Sequence, residues 1–503
     1  MSLEPRTARP PLALGALVLL ALAGVALHAS GLTAYGWFRD ELYYLSCAKR
    51  LAWGYVDHPP LSVAALALLR AVAGDSLAAM RIAIALVTAC AVVTTGALTR
   101  ELGGGRWAQL AAAGALAIAP FTLGTGHYWS MNAFDLLFWV AGTWCALRAF
   151  RGGAREWLVL GAVLGLGLLD KWSIAWLGAG IAVALVLSPA RRALRTPWPW
   201  LAALLAAAIV APNLFWQAGH GWPTLEFMRH ASEDKMKPLD LAGLIGGQIL
   251  LLGPGAALVW IAGLAVALRR GGARPVAIVW LVTLALLAAN GSARAGYLAL
   301  AGPGLLAAGA VWWEGRGRLA RVAIPALAVL LALPLVPFAM PVLPVERFVA
   351  WQKALGREPK SEERHRMGAL PQHFADMFGW PELADSVARV STTLTAAERA
   401  RAIVLVNNYG EAGALERFGA GRVPAIACEH NHWFYWPPAW DGGIAIVVGR
   451  DSADIASEFE SVVVAGRAGH PLAMPYEQDL PILVARGYRG DVPTAWARGK
   501  HFD

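Results

Sequence analysis

The chain has 503 residues, of which 57% are hydrophobic and only 15% charged, whereas soluble domains carry about 25% charged residues. That deficit excludes an ordinary soluble enzyme and points to lipid. The net charge of +9 does not imply nucleic acid as a partner, because the arginines collect in short loops between apolar runs, where they set topology.

A transmembrane helix needs about 20 apolar residues, within a range of roughly 17–25. Apolar runs at 12–34, 80–99, 107–125, 133–150, 156–170, 172–189, 198–215, 241–268, 275–291, 298–313 and 321–341 predict about 11 spans on that basis. The first run follows Arg6 and Arg9 and is too long for the h-region of a cleaved signal peptide, so it reads as an uncleaved helix. With the N-terminus inside, Arg100 and Arg106, Arg148 to Arg155, Arg191 to Arg195, Arg269 to Arg274 and Arg316 to Arg321 all fall in inside loops. That distribution satisfies the positive-inside rule. The external loops 35–79, 126–132 and 216–240 carry mixed charge. Asp170-Lys171 falls between two apolar runs. Each charge costs about 2.5–3.5 kcal/mol at a helix centre, so the pair belongs at an interface or in a polar cavity.

From residue 345 charges become frequent. Strand-length runs at 402–406, 423–427, 444–448, 462–464 and 482–484 alternate with helix-like stretches such as 412–418, the pattern of a small α/β domain. The expected architecture is an α-helical polytopic membrane domain over 1–344 and an extracytoplasmic α/β domain over 345–503. Acceptor recognition is the role expected of that domain. The cysteines Cys47, Cys90, Cys145 and Cys428 are scattered and form neither a disulfide framework nor a metal-binding spacing.

The first external loop holds the densest chemistry: Arg39-Asp40-Glu41-Leu42-Tyr43-Tyr44, then Tyr55-Val56-Asp57-His58-Pro59-Pro60-Leu61. A carboxylate at the water boundary can meet both a lipid-borne substrate and a soluble group, and can serve as general base on a hydroxyl. Neighbouring residues on a helix diverge, so one of Asp40 and Glu41 would do that work. Equally, the pair reads as acidic residues complementing a helix N-terminus.

These residues carry a resemblance. Together with Ser130-Met131-Asn132-Ala133-Phe134-Asp135, Leu169-Asp170-Lys171, Ala211-Pro212-Asn213, Arg294-Ala295-Gly296-Tyr297-Leu298 and Asn407-Asn408-Tyr409-Gly410-Glu411-Ala412, the chain resembles the polyprenyl-phosphate-dependent GT-C glycosyltransferases. The likeness is to the bacterial branch of the protein O-mannosyltransferase and aminoarabinose transferase superfamily (glycosyltransferase family 39-like). It runs through nearly the whole chain.

The resemblance implies a GT-C fold and a multi-pass protein of the bacterial inner membrane, with its active site and C-terminal domain facing the periplasm. It implies transfer of a hexosyl or pentosyl group from a polyprenyl-phosphate donor to a hydroxyl of a lipid, glycan or protein, by inverting general-base chemistry. Asp40, with Glu41 beside it, matches the family's catalytic acid, and Asp135 its second acid. Lys171, Arg294 and His58 become candidates for the donor phosphate, although His58 stands where the aminoarabinose branch has lysine. Tyr43, Tyr44, Asp57 and Tyr297 are expected to line the substrate pocket. No cofactor and no metal site is implied, and a divalent cation remains an open possibility.

Competing readings are a transporter or flippase of a lipid-linked substrate, or a non-catalytic assembly protein. Transporters concentrate charge near the midplane and often show repeated halves; here the acids lie at helix ends and no repeat is visible. In the tail, His430 and His432 would share one face of a strand, but the aromatic run that follows favours a loop capping the acceptor cleft over a metal site. Glu233 and Asp234, with His220 or His230, read as a solvated loop face before they read as cation ligands.

Overall fold

The computed structural model describes residues 9–290, 294–359, 361 and 363–503; Arg6, counted in the first inside segment, lies outside the described residues. Helix α1 (Leu14–Ala29) leads into the loop 35–79, which folds into α2 (Arg39–Lys49) and α3 (Leu61–Ala73). Then come α4 (Leu77–Glu101), α5 (Arg106–Ala117), α6 (Pro120–Thr125), α7 (Met131–Ala149), α8 (Ala154–Leu168), α9 (Ile174–Val186) and α10 (Trp198–Gly219). The helical part continues with α11 (Pro223–His230), α12 (Leu241–Leu251), α13 (Ala257–Arg269), α14 (Arg274–Asn290), α15 (Ala295–Ala299), α16 (Gly302–Glu314), α17 (Arg318–Ala332) and α18 (Val336–Ala339).

Every expected apolar run is mainly helical, yet 11 uninterrupted spans are not what the fold contains. Among the described residues, 3 helices are long and apolar enough to cross a bilayer, or up to 5 if each bent pair counts as one span. Proline and glycine account for much of the difference. The run 241–268 is divided at Gly253, whose φ is +95°, followed by Pro254. The run 107–125 breaks before Pro120, and the run 298–313 before Gly302-Pro303. Hydropathy passes through such breaks unnoticed, because it registers side-chain polarity and not the backbone's ability to continue a helix. Outward faces carry exposed leucines and valines such as Leu19, Val72, Leu204 and Leu330. On the inner faces helices approach closely through small residues. A Cβ on Gly263 would lie 1.9 Å from Leu305 O, and one on Gly309 would lie 1.9 Å from Val259 O, so α13 and α16 touch backbone to backbone.

After α19 (Val345–Ala354), α20 (Gln372–Ala375), α21 (Trp380–Thr392) and α22 (Ala396–Arg401), the tail builds a 5-stranded sheet of order β2-β1-β3-β5-β4. β1 (Ile403–Val406) lies parallel to β2 (Ala425–Cys428) and β3 (Ile444–Val448), while β5 (Leu480–Tyr488) runs antiparallel to β3 and β4 (Phe459–Ala468). Parallel pairing of β1 and β2 needs a crossover, and α23 (Tyr409–Phe418) supplies it. Each strand run expected from the sequence is present. Alternation divides the sheet: Val404, Val406, Ile446 and Val484 face α21 and α23, while Ile403, Ala445, Val447 and Leu483 face Ile455 and Phe459.

The first of these faces does not stop at the tail. It is continuous with Leu42, Tyr43, Leu45 and Tyr55 of the loop after α1, because α23 lies directly on α2. A Cβ on Gly413 would sit 2.9 Å from Leu42 C and 3.0 Å from Leu42 O, and one on Gly410 would sit 2.4 Å from Arg39 Cγ. Polar contacts line the same seam: Ser46 Oγ donates to Glu416 Oε2 at 2.6 Å, and Arg50 pairs with Glu416 Oε1 at 2.6 Å. A branched side chain at Gly413 has no room against a backbone. Gly413→Val is expected to destabilise the protein by about 1–3 kcal/mol, as overpacking does, read as a lower unfolding midpoint in detergent.

Candidate active site

The two neighbouring acids of the first loop are separated by the start of α2. Glu41 points inward and is 0% exposed, as is its partner Arg81 at the start of α4. Arg81 donates from Nε to Glu41 Oε1 at 3.1 Å and from Nη2 to Oε2 at 2.9 Å. Glu41 also accepts the Phe38 N–H at 2.9 Å, closing the helix N-terminus, and the Trp129 N–H at 3.2 Å. Arg81 reaches further, donating to Leu32 O at 2.8 Å and Gly36 O at 2.6 Å. Both carboxylate oxygens of Glu41 are therefore engaged. It is placed as an anchor between the loop before α2 and the loop before α7, not as the base that its position beside Asp40 suggested.

Asp40, one residue earlier, turns the other way and is half-buried. Its Oδ1 accepts the Tyr409 hydroxyl at 3.1 Å. Burial pushes its carboxyl above the usual aspartate range, against the opposing pull of Arg39 and the Tyr409 hydrogen bond. Arg39 extends across the tail, donating from Nη2 to Tyr409 OH at 2.7 Å and from Nη1 to Tyr476 OH at 3.1 Å. Its backbone N–H donates to Asp376 O at 3.0 Å. The Asp376 carboxyl is buried beside Arg39, Asp40 and Glu363, and burial raises it to about 7.

Tyr43 belongs to the same wall. Its hydroxyl donates to Asp57 Oδ1 at 2.8 Å, and its ring lies 4.7 Å from that of Tyr409. Asp40, Tyr43 and Asp57 are thus brought together as expected. His58 is enclosed, with its ring stacked 4.5 Å from Tyr44 and 4.9 Å from Tyr55. Its Nδ1–H donates to Pro59 O at 3.1 Å, which leaves Nε2 a bare lone pair in the neutral ring. Such a ring repels a phosphate oxygen; only the imidazolium would hold one.

A second cluster forms where α8 gives way to α9. Lys171 Nζ donates to Asn132 Oδ1 at 2.6 Å, lies 3.5 Å from Asp135 Oδ2 and sits 5.1 Å above the Tyr297 ring. Asp135 is wholly buried on α7 and accepts Ser173 Oγ–H at 2.6 Å. The structure therefore joins Asp135 to Lys171 as a brace and does not join it to Asp40. Tyr44 links the clusters, its hydroxyl accepting the Met131 N–H at 3.2 Å where α7 begins. Arg294 belongs to a third group: its Nη2 donates to Glu363 Oε1 at 2.8 Å, beside Met236.

The tail histidines part company, because β2 ends at Cys428 and residues 431–435 form a 3₁₀ turn. His432 packs 4.6 Å from the Tyr55 ring, while His430 meets the end of the chain. Among the described residues, the atoms of His430, His501 and Asp503 converge within 4.8 Å of one another. Asp503 bridges the rings, at 2.7 Å from His430 Nε2 and 3.2 Å from His501 Nε2. Glu233 pairs with Arg229 at 3.2 Å on the surface, and His220 stacks on Trp216.

The profile of the dolichyl-phosphate-mannose-protein mannosyltransferase family matches residues 57–216. An undecaprenyl phosphate-alpha-4-amino-4-deoxy-L-arabinose arabinosyl transferase of Pseudomonas aeruginosa is 31% identical over 161 residues, covering 28% of this chain and 29% of that protein. The chain therefore matches well under a third of the curated relative's length. The fold is shared far more widely. ArnT from Cupriavidus metallidurans in the apo state superposes with a TM-score of 0.59 at 15% identity, over 93% of this chain and 98% of that one. The chain is similar to the polyprenyl-phosphate-dependent GT-C glycosyltransferases. The same protein bound to undecaprenyl phosphate gives 0.58 at 16% identity, with the same coverage. The apo oligosaccharyltransferase of Archaeoglobus fulgidus gives 0.50 at 14%, over 82% of this chain and 64% of that one.

Sequence reasoning missed Arg81, Asp376, Tyr476 and the role of Tyr409. Only Arg81 left a signal of its own, as an arginine one residue inside the run 80–99. Because Arg81→Met leaves the buried Glu41 without its ion-pair partner, it is expected to cost about 3–5 kcal/mol, seen as a collapse in the yield of monodisperse protein. Asp376 binds its proton more tightly folded than unfolded, so its ionisation destabilises the fold as pH rises from about 4 to about 7. Asp376→Asn is expected to raise the unfolding midpoint above the parent's at pH 8 and to leave it nearly level at pH 4.

Proposed function

We propose that this protein is an integral-membrane glycosyltransferase that moves a sugar from a polyprenyl-phosphate donor to an acceptor hydroxyl. The observation that carries the reading is the orientation of Asp40. It is a half-buried carboxylate with a raised pKa, turned away from its fully engaged neighbour Glu41, and it lies next to the tyrosines and Asp57 of the same loop. The relatives support the donor class, one by acting with undecaprenyl phosphate in its name and another by having that lipid bound.

In this mechanism the acceptor hydroxyl approaches the anomeric carbon while Asp40 takes its proton. The new glycosidic bond forms as the bond to the phosphate oxygen breaks, with inversion. Negative charge develops on the departing lipid phosphate and is stabilised by a fixed cation. Lys171 suits that task, since Asn132 and Asp135 hold its ammonium in one place. Arg294 lies in a separate group, bonded to Glu363 beside Met236, and His58 could contribute only as the imidazolium. Tyr297 beneath Lys171 and Tyr43 beside Asp57 would flank the sugar. The membrane part spans 1–344 in this reading, with 345–503 as the extracytoplasmic domain, and the reaction takes place at the periplasmic face of the inner membrane. A lipid, glycan or protein hydroxyl would each fit the chemistry.

A transporter of lipid-linked substrate is the second reading. The positions of Asp40 and Glu41 at the first turn of an external helix, away from the apolar helix midpoints, favour the enzyme.

Transfer from a radiolabelled polyprenyl-phosphate sugar pool into membrane acceptors tests the proposal. With equal amounts of protein in the membrane, Asp40→Asn is expected to lower transfer by about 10²-fold or more, the range of a lost general base. Unchanged transfer would remove Asp40 from the chemistry, and no transfer by the parent protein would favour the transporter.

A further inference from the structure

The hydrogen-bond donor to Asp40 from outside its own helix comes from the C-terminal tail. Asn408 caps α23 by accepting the Gly410 and Glu411 N–H groups at 2.9 and 3.0 Å, which fixes Tyr409 as the first residue of the helix. The absence of side chains at Gly410 and Gly413 lets α23 lie on α2. The Tyr409 ring is then held between the rings of Tyr43 at 4.7 Å and His430 at 5.1 Å, with the Arg39 guanidinium 4.5 Å from its centroid.

That packing also decides where the phenol proton points. Arg39 Nη2 donates into the Tyr409 oxygen at 2.7 Å, so the hydroxyl hydrogen is directed to its other neighbour, Asp40 Oδ1, at 3.1 Å. One carboxylate oxygen is thereby held. The second accepts no protein hydrogen bond among the described residues and is left for the proton of an incoming hydroxyl.

Resting on the general-base reading above, we infer that Tyr409 is a positioning residue for the Asp40 carboxylate, so that the C-terminal domain completes the active centre instead of only recognising the acceptor. The phenol aims the carboxylate and favours its ionised form, and it does not itself touch the reacting atoms. The other groups facing Asp40 are Arg39 on its own helix, Asp57 in the same loop, Lys235 and Asp376, and Tyr128. Among these, Tyr409 donates the side-chain hydrogen bond to its carboxylate.

The test uses the full-length protein in detergent with lipid-linked donor, and compares kcat, KM and the pH dependence of kcat/KM. Tyr409→Phe keeps the ring and removes the donor. It is expected to lower kcat roughly tenfold, the scale of one hydrogen bond to a charged group, with the donor KM close to the parent's. The acid limb of the profile moves to higher pH, because loss of the bond lets the Asp40 carboxyl rise further. Tyr476→Phe, which removes the other hydroxyl on Arg39 but none on Asp40, leaves the acid limb where it is. Arg39→Lys keeps the charge but removes the fork that steers the phenol, and shifts the limb in the same direction as Tyr409→Phe. It also serves if Tyr409→Phe fails to fold.

A parental kcat and acid limb in Tyr409→Phe, with Asp40→Asn inactive, would overturn the positioning role and leave the base assignment standing. An active Asp40→Asn would overturn both. Equal effects of Tyr409→Phe and Tyr476→Phe on the limb would also overturn the inference, by assigning the change to loosened docking of the tail.

Discussion

The site depends on one buried ion pair. Taking Glu41 and Arg81 out of water costs several kcal/mol per ion, and the Coulombic gain repays this only when the remaining hydrogen-bonding capacity is filled. Here it is filled by backbone groups of different segments: Phe38 and Trp129 on the carboxylate, Leu32 and Gly36 on the guanidinium. The pair therefore ties the end of α1, the start of α2, the start of α4 and the loop before α7 at one point. Since successive residues on a helix point about 100° apart, fixing Glu41 inward turns Asp40 to the other side, toward Tyr409. One acid spends its chemistry on structure and leaves the other available.

A second constraint comes from the close contact of α2 with α23. Glycines at 410 and 413 let two helices, far apart in sequence, share a core that runs from Leu42 and Leu45 into the sheet at Val404 and Ile446. The tail is thus packed against the loop that carries Asp40. Its polar edge, with Tyr409 and Tyr476 on Arg39 and Asp376 below, forms part of the wall around Asp40. This arrangement shields the carboxylate from water on one side, which is a reason its proton is held more tightly than in an exposed aspartate. Lys171 stands across Tyr44 from this wall, held by Asn132 and Asp135.

Much of this was legible in the sequence for definite physical reasons. Apolar runs located the helices because burial in lipid demands them, and short apolar runs of 3 or 5 residues located the five strands. What hydropathy could not register were interruptions such as Gly253 and Pro120, where side-chain polarity is unchanged but the backbone cannot go on. Asp40, Tyr43, Asp57, Asp135 and Lys171 were found by residue type in short motifs, but the pairing of Lys171 with Asp135 was not. Glu41 could not be told from Asp40 that way, because its role is set by Arg81, forty residues on. Tyr409 carried a family likeness but no role, since its meaning arises only when α23 meets α2, some 370 residues from the carboxylate it touches.

The central claim is that Asp40 and Lys171 serve opposite sides of one reacting centre, the first on the acceptor and the second on the leaving phosphate. A structure of the protein with a non-hydrolysable polyprenyl-phosphonate sugar bound tests it most directly. The account predicts a phosphonate oxygen within hydrogen-bond reach of Lys171 Nζ and the Asp40 carboxylate facing the anomeric carbon from the opposite side. A headgroup bound away from Lys171, or a sugar whose anomeric carbon is out of reach of a hydroxyl held by Asp40, would contradict it.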